Sequence, residues 1–432
     1  MDKPSSGDVA HIKDLHLVPW PRVAAVSVMI AFSLPTFMSG LEVYNGLSVS
    51  DHLIALIVGS ILLTLIGATM GVIGAKTRMS SYVLVRIAFG DAGAGIVNIA
   101  FALSLIGWFG VNIDLFAGAV NKLLSERYDL LLPEWGIEVG AGICMIATTV
   151  FGFKAINILA SLMAPILAVV TAVMFWFAFA EISFADYWAI EKEATLSLSD
   201  GVGAIVGGII VGAIILPDIT RFSANWRGGA YTAFWSYMVV ELIVLFVAGF
   251  AAAAIGETGI LNLMLGLGLG LAAFIIVIAG SWVLNSLNLY STMLSVEATF
   301  PKVKGGGYVI LFGLAGVVAA FFNILDYFIS FLVFLTAIFV PVAGVIIADY
   351  LLAPAQKYHA KTLEKNQKFS LPACIAWLVG AGISVFDDSP FVPSISSISA
   401  LDAILVTGLL YWLLSRLLPL AANKQDTSNN SQ

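Results

Sequence analysis

The chain has 432 residues, 60% of them hydrophobic and 11% charged, less than half the charged share of about 25% in soluble domains. Its net charge of −7 argues against a nucleic-acid partner, since phosphate binding needs a basic face. The two cysteines, Cys144 and Cys374, lie in apolar runs, and no Cys/His spacing fits a disulfide framework or structural zinc. What remains is an all-α polytopic membrane protein, long enough for about twelve spans of roughly 20 apolar residues each.

Residues 1–18 are polar and lack the short apolar core of a signal peptide. Apolar runs then follow at 22–44, 52–74, 91–121, 135–152, 155–180, 202–221, 229–255, 263–296, 307–323, 326–352, 371–387 and 399–419. With twelve spans, 17 of the 20 Lys and Arg fall on one side, leaving Lys122, Arg127 and Lys192 on the other. The positive-inside rule then makes both termini cytoplasmic in a multi-pass protein of the cytoplasmic (inner) membrane. The expected organisation is an N-terminal tail (1–21), a ten-helix core (22–352), a cytoplasmic loop (353–370), two further spans (371–419) and a polar tail (420–432). No soluble domain and no GxxxxGK[ST] loop are expected, so the chain by itself is not an ATP-driven pump.

Polar groups and helix breakers inside the spans carry the functional reading. Span 1 holds Pro35, followed by Ser39 and Gly40, which predicts either a break or a simple proline kink. Span 6 holds Gly201, Gly203, Gly207, Gly208 and Gly212, with Pro217 near its inner end. Interrupted segments at matching positions of two five-span halves point to an inverted-repeat transporter with a midplane site, although small residues also serve close helix packing. In span 3, Trp108 and Asn112 share a face suited to stacking on a planar ring and reading its polar edge; a buried Trp also serves simply as packing. Asp114 is costly in lipid and a functional candidate by default. In span 8, Ser281, Asn285, Asn288 and Thr292 form one stripe, which can line a polar cavity or glue helices together. Glu42, Glu241 and Asp326 are expected at an interface or paired, and each can carry a proton.

At these residues the chain resembles the nucleobase–cation symporter (purine-cytosine permease) family, and within it the bacterial cytosine permeases. The matching stretches are GAKTRMSSYVLVRIAFG (74–90), GWFGVNIDLFAG (107–118), FGFKAINILASLMAPIL (151–167), PDITRFS (217–223), N-x-x-N-x-Y (285–290) and VPVAGVIIADYLL (340–352). The resemblance implies a leucine-transporter-like fold of two inverted five-helix repeats plus two helices, with spans 1, 2, 6 and 7 moving against spans 3, 4, 8 and 9. It implies a flat heterocyclic substrate held between spans 1, 3, 6 and 8. Trp108 would be the stacking platform, Asn112 a substrate amide, Gly208 the exposed backbone of a broken span 6, and Asn285 and Asn288 hydrogen-bonding groups, with Ser33 on span 1. No cofactor or metal is implied.

Three departures from the family pattern stand out. Ile209 occupies the place of a second stacking aromatic, and Leu105 replaces a glutamine three residues before the tryptophan. The two adjacent hydroxyl positions that bind sodium on span 8 read Val283 and Leu284. Backbone oxygens near Met29, Ala31 and Phe32 alone leave a hard cation short of ligands. The expectation is therefore an importer of cytosine or a related nucleobase, proton-coupled or sodium-independent, with Asp114 and Glu42 as candidate proton carriers. The alternatives are a sodium symporter with an altered ion site, or a same-fold transporter of a thiamine-precursor pyrimidine, an allantoin-like ureide or an amino acid. A channel or receptor is a further rival. The sequence has no HExxH motif and no paired catalytic aspartates for an intramembrane enzyme.

Overall fold

The computed structural model describes residues 17–150, 153–256, 262, 266, 280–300, 306–322, 324–352, 355–358, 367–387, 389–392 and 394–418. The start of span 8, both tails and most of the 353–370 loop lie outside them. The first span is two helices, α1 (Trp20–Ala31) and α2 (Leu34–Gly46), bent by 50° at Phe32–Ser33. Ser33 is extended, with φ −75° and ψ 153°. Pro35 follows in the first turn of α2, where its missing N–H would be unpaired in any case.

Next come α3 (Val49–Thr77) and α4 (Ser81–Tyr128). The latter turns at Gly90, whose φ of 78° suits glycine. A side chain there would meet the backbone of Gln367 and Phe369 at 2.8 Å. Residues 367–370 dock on this turn, since Asp91 and Ala92 donate N–H to the Gln367 and Lys368 carbonyls and Ser370 donates to Phe89. The chain continues through α5 (Glu134–Thr149), α6 (Phe153–Glu181), the short α7 (Phe184–Trp188) and α8 (Leu198–Ile214).

Span 6 corrects one expectation. α8 runs as unbroken helix through Gly207, Gly208 and Gly212, and the interruption comes at Ile215–Leu216 before α9 (Pro217–Thr220). Glycines keep their backbone N–H and sit in a helix when neighbours pack against it. Proline lacks the donor and strains the preceding turn, so the break falls there. α10 (Arg227–Ala233) passes through a π-helical turn, Phe234–Glu241, into α11 (Leu242–Ile255). The remaining helices are α12 (Ser281–Thr299), α13 (Gly306–Ala320), α14 (Phe328–Leu352), α15 (Leu371–Val385) and α16 (Ser399–Leu417).

Among the described residues, seven helices are long and apolar enough to cross a membrane, or eight if the bent α1–α2 pair is one span. The segments 307–320 and 371–385 are shorter apolar helices. At 16 residues α5 is short for a span, and α12 holds only the second half of expected span 8.

The helices pack in two groups. One joins α1, α2, α3, α8 and α10–α11, with α6 against α1 and α11; the other joins α4, α5, α12 and α13. α14 packs on α8, and α15 and α16 pack on α14. Polar contacts tie the loops together at both ends of the helices. At one end Arg78 Nη1 donates to the Arg221 carbonyl at 2.8 Å and to the Ser223 carbonyl at 2.5 Å, and Val18 pairs with Ser223. At the other end Lys192 donates to the Tyr44 carbonyl, and Ser199 reaches Asp387 and Ser399.

Close backbone approach sets the glycine positions. A Cβ on Gly40 would lie 2.5 Å from the Leu245 carbonyl oxygen, and one on Gly207 would run into the Leu332 carbonyl. A Cβ on Gly203 would meet only Val333 methyls, at 3.5 Å. Gly207→Ala is therefore expected to cost about 1–3 kcal/mol by overpacking and to lower the melting temperature of the purified protein. Gly203→Ala, in the same helix, should melt as the unmodified chain does.

Candidate functional site

A cavity lined largely by apolar side chains lies between the two groups. The first group contributes Ile30, Ser33 and Pro35 at the α1–α2 break, Gly208, Ile209 and Gly212 of α8, and Asp218 of α9. The second contributes Leu105 and Trp108 of α4, and Leu284, Leu287, Asn288, Tyr290 and Ser291 of α12.

Trp108 is buried, and its indole is held edge-on by Phe331 (centroids 5.3 Å apart) and Phe328 (6.3 Å), both on α14. Such edge-to-face contacts fix the ring orientation and leave the indole on the cavity wall. Ile209 and Leu105 are also on the wall, so the two departures noted in the sequence both face the site. Gly208 lines it from within continuous helix, and its absent side chain leaves open space toward Ser39 Oγ, 3.5 Å from an ideal Cβ.

The polar stripes divide between wall and interior. Asn288 is on the wall and donates to Asn285 Oδ1 at 3.4 Å. Asn285 is fully buried off the wall, where its amide donates to the Phe109 carbonyl and to Met145 Sδ, both at 3.2 Å, tying α12 to α4 and α5. Thr292 bonds back to the Asn288 carbonyl. Asn112 is likewise off the wall. Its amide nitrogen donates to the Trp108 carbonyl at 2.7 Å, leaving Oδ1 buried and unpaired. The shared face of Trp108 and Asn112 is real, but the inward step of one helical turn seals the amide within the helix packing.

The candidate ion-coupling residues are not gathered at one point. At the α1–α2 break the Val28 carbonyl accepts from Phe32 N–H, and the Ile30 carbonyl accepts from Ser33 N–H and Thr36 Oγ1. The carbonyls of Met29, Ala31 and Phe32 take no hydrogen bond from a described group. The start of α12 comes close, since a Cβ on Gly280 would lie 3.0 Å from Phe32 O, yet the next turn offers the hydrocarbon of Val283 and Leu284. The Phe32 side chain points away, into an apolar cavity against Phe175 and Phe246. Asp114 sits off the cavity wall in the field of Glu134, Glu138 and Asp326, and Glu42 is half-buried on α2, also off the wall.

Four groups at the basic end were not singled out as site residues. Asp218 Oδ1 accepts from Ser81 N–H at 2.9 Å and Ser81 Oγ at 2.7 Å, which links α9 of the first group to the start of α4 in the second. Arg221 Nε donates to the Asp218 carbonyl and its side chain also bonds Tyr290. Asp218, Arg221 and Tyr290 stand in stretches singled out by the resemblance; their joint position closing one end of the cavity had no signal in sequence spacing. Nor did the support of Trp108 by Phe328 and Phe331.

A cavity walled by two helix groups, beside helix breaks buried in protein, is the arrangement of a multi-pass membrane transporter. The profile of the family described as permease for cytosine/purines, uracil, thiamine, allantoin matches residues 23–408. The chain is 27% identical over 338 residues to the cytosine permease of Escherichia coli (strain K12), covering 78% of this chain and 79% of that one. It is 22% identical over 371 residues to the hydantoin permease of Microbacterium maritypicum, covering 80% and 75%. Its fold matches that of Mhp1, a nucleobase-cation-symport-1 family transporter solved closed with bromovinylhydantoin bound, with a TM-score of 0.79 at 18% identity over 96% of this chain and 97% of that one. The chain belongs to the cytosine/purine, uracil, thiamine and allantoin permease family. It is a transporter and not an enzyme.

The two asparagines of α12 should separate on substitution. Asn285→Ala leaves buried partners unmet and is expected to cost about 1–3 kcal/mol of stability, read as a lower melting temperature. Asn288→Ala should leave melting near that of the unmodified chain and raise the KM for transport.

Proposed function

We propose that this permease imports a small planar heterocycle, cytosine or a related nucleobase, across the cytoplasmic membrane by alternating access and without sodium. The observation that carries this reading is the split cavity wall: Trp108 and Asn288 belong to one helix group, and Ser33, Gly208 and Ile209 to the other. A ligand touching both walls binds most tightly when they are close. Rocking one group against the other then exposes the ligand to one side at a time.

In this mechanism the ring lies on the Trp108 indole and against the aliphatic face of Ile209. Asn288 and Ser33 supply polar contacts at its edge. The Asp218–Ser81 and Arg221–Tyr290 links join the groups at the basic end and part when that end opens. Twelve spans, two inverted five-helix repeats and cytoplasmic termini complete the proposed topology. The basic loops at one end and the acidic loops at the other support that orientation.

Sodium independence rests on the donor set. Phe32 O lies close to Gly280 at the start of α12, and the following turn carries the hydrocarbon of Val283 and Leu284 where a hard cation needs oxygen. The apolar wall of Leu105, Ile209, Leu284 and Leu287 also fits a ring with an apolar substituent, such as a substituted hydantoin, as a second substrate reading.

The test is uptake of radiolabelled cytosine into cells lacking their own permeases, with sodium present or replaced, against unlabelled purines, uracil, allantoin and hydantoins. The expected result is saturable uptake, indifferent to sodium and abolished by Trp108→Ala. Sodium-dependent uptake would overturn the ion reading. Absence of cytosine uptake, with a hydantoin or ureide transported instead, would overturn the choice of nucleobase.

A further inference from the structure

Glu241 lies midway along the 29-residue span Arg227–Ile255, at the end of the π-helical turn Phe234–Glu241. It is buried within the span: the residue is 1% exposed, and its Oε2 has no hydrogen-bond partner among the described residues. Tyr237, one turn earlier, adjoins Glu241, and its buried hydroxyl meets that of Ser27 on α1; neither hydroxyl has a further partner among the described residues. The Tyr237 ring fills the space over Gly67 of α3, in contact with that glycine's backbone position.

Charged groups on the helices packed against this turn stand at the helix ends. α1 carries Arg22 in its first turn, α3 carries Asp51 and His52 in its first turn and Lys76 in its last, and α10 begins at Arg227. Tyr237 is the titratable group beside Glu241 among the described residues. An unpaired carboxylate in such surroundings costs several kcal/mol, whereas the neutral acid costs far less. π-helical turns inside α-helices frequently mark functional sites.

We propose that Glu241 is the proton-binding group of this permease and that it loads one proton per transport cycle. This rests on the reading of the chain as an alternating-access importer. The carboxylate takes a proton from water on the outer side, crosses the cycle as the neutral acid, and gives the same proton to water on the inner side. Its route to the substrate is short. The Tyr237–Ser27 contact bears on α1, and α1 ends at the Phe32–Ser33 break whose Ser33 lines the cavity. Charge at Glu241 thus biases how α1 sits against the π-helical turn, and with it the first wall of the cavity.

The experiment uses the full chain reconstituted in liposomes. Infrared difference spectra across a pH titration, without substrate, read the carbonyl stretch of protonated carboxyl groups. Accumulation of radiolabelled cytosine under an imposed pH gradient reads coupling. The unmodified protein should show a titrating band that Glu241→Gln lacks and Glu241→Asp retains at a shifted midpoint. Glu241→Gln should lose gradient-driven accumulation, and Glu241→Asp should keep it. If Glu241→Gln shows the same titrating band or accumulates cytosine under the gradient as well as the unmodified chain, the proposal is overturned. Should Glu241→Gln fail to fold, the shift in the Glu241→Asp band decides: an unshifted band overturns the assignment. A Glu241-dependent titrating band with no cytosine transport by any form would support the proton site and overturn cytosine as the substrate.

Discussion

In hydrocarbon, an unpaired backbone N–H or C=O costs several kcal/mol, and the fold depends on where this chain pays that cost. It does so at Phe32–Ser33 and at Ile215–Leu216. Both interruptions are covered by other helices and both adjoin the cavity, where Ser33, Ile215 and Leu216 form part of the lining. The first break frees carbonyls and presents Ser33; the second begins the segment that carries Asp218 and Arg221. The broken elements are then fixed by approaches that leave no room for a Cβ, Gly40 on Leu245 and Gly207 on Leu332.

Around those breaks, a difference of one helical turn separates recognition from structure. Trp108 and Asn288 reach the cavity, while Asn112 and Asn285 turn into the α4–α5–α12 packing and bond backbone or sulfur. A buried amide that ties helices together is as costly to lose as one that binds a ligand. A polar stripe in a span therefore does not by itself distinguish the two. The indole gains its fixed orientation from α14, which packs on α8 of the opposite group. α14 thus contacts both walls and stands where relative movement of the groups would be felt.

The buried polar groups of the first helix group form a second locus, remote in sequence from the cavity but connected to it through α1. Ser27 faces the π-helical turn, and six residues later Ser33 faces the cavity. A rigid half-helix between two polar contacts is a simple physical means of coupling them. It requires only that α1 have two positions of similar energy.

Most of the architecture was legible in the amino-acid sequence. Apolar run length marked the helices long enough to cross a membrane among the described residues, and Pro35 marked the first break, because hydrophobicity and a missing N–H act locally; the second break falls before Pro217 rather than at Gly208, where the sequence resemblance puts it. Trp108, Ser33, Gly208, Ile209 and Asn288 were named from spacing and resemblance, and they meet at one cavity. Tertiary structure alone decided which face of each helix is wall and which is packing, since that depends on the rotation of neighbouring helices. So Asn112 and Asn285 lie off the cavity wall, Asp218 and Tyr290 lie on it, and Phe328 and Phe331 hold the Trp108 ring. It also decided that span 6 stays helical through its glycines, because packing on α14 and α3 holds a backbone that glycine alone would loosen. That Glu241 Oε2 finds no partner among the described residues has the same cause: whether an acid is paired is settled by what the opposing helices present, and sequence distance does not reveal that.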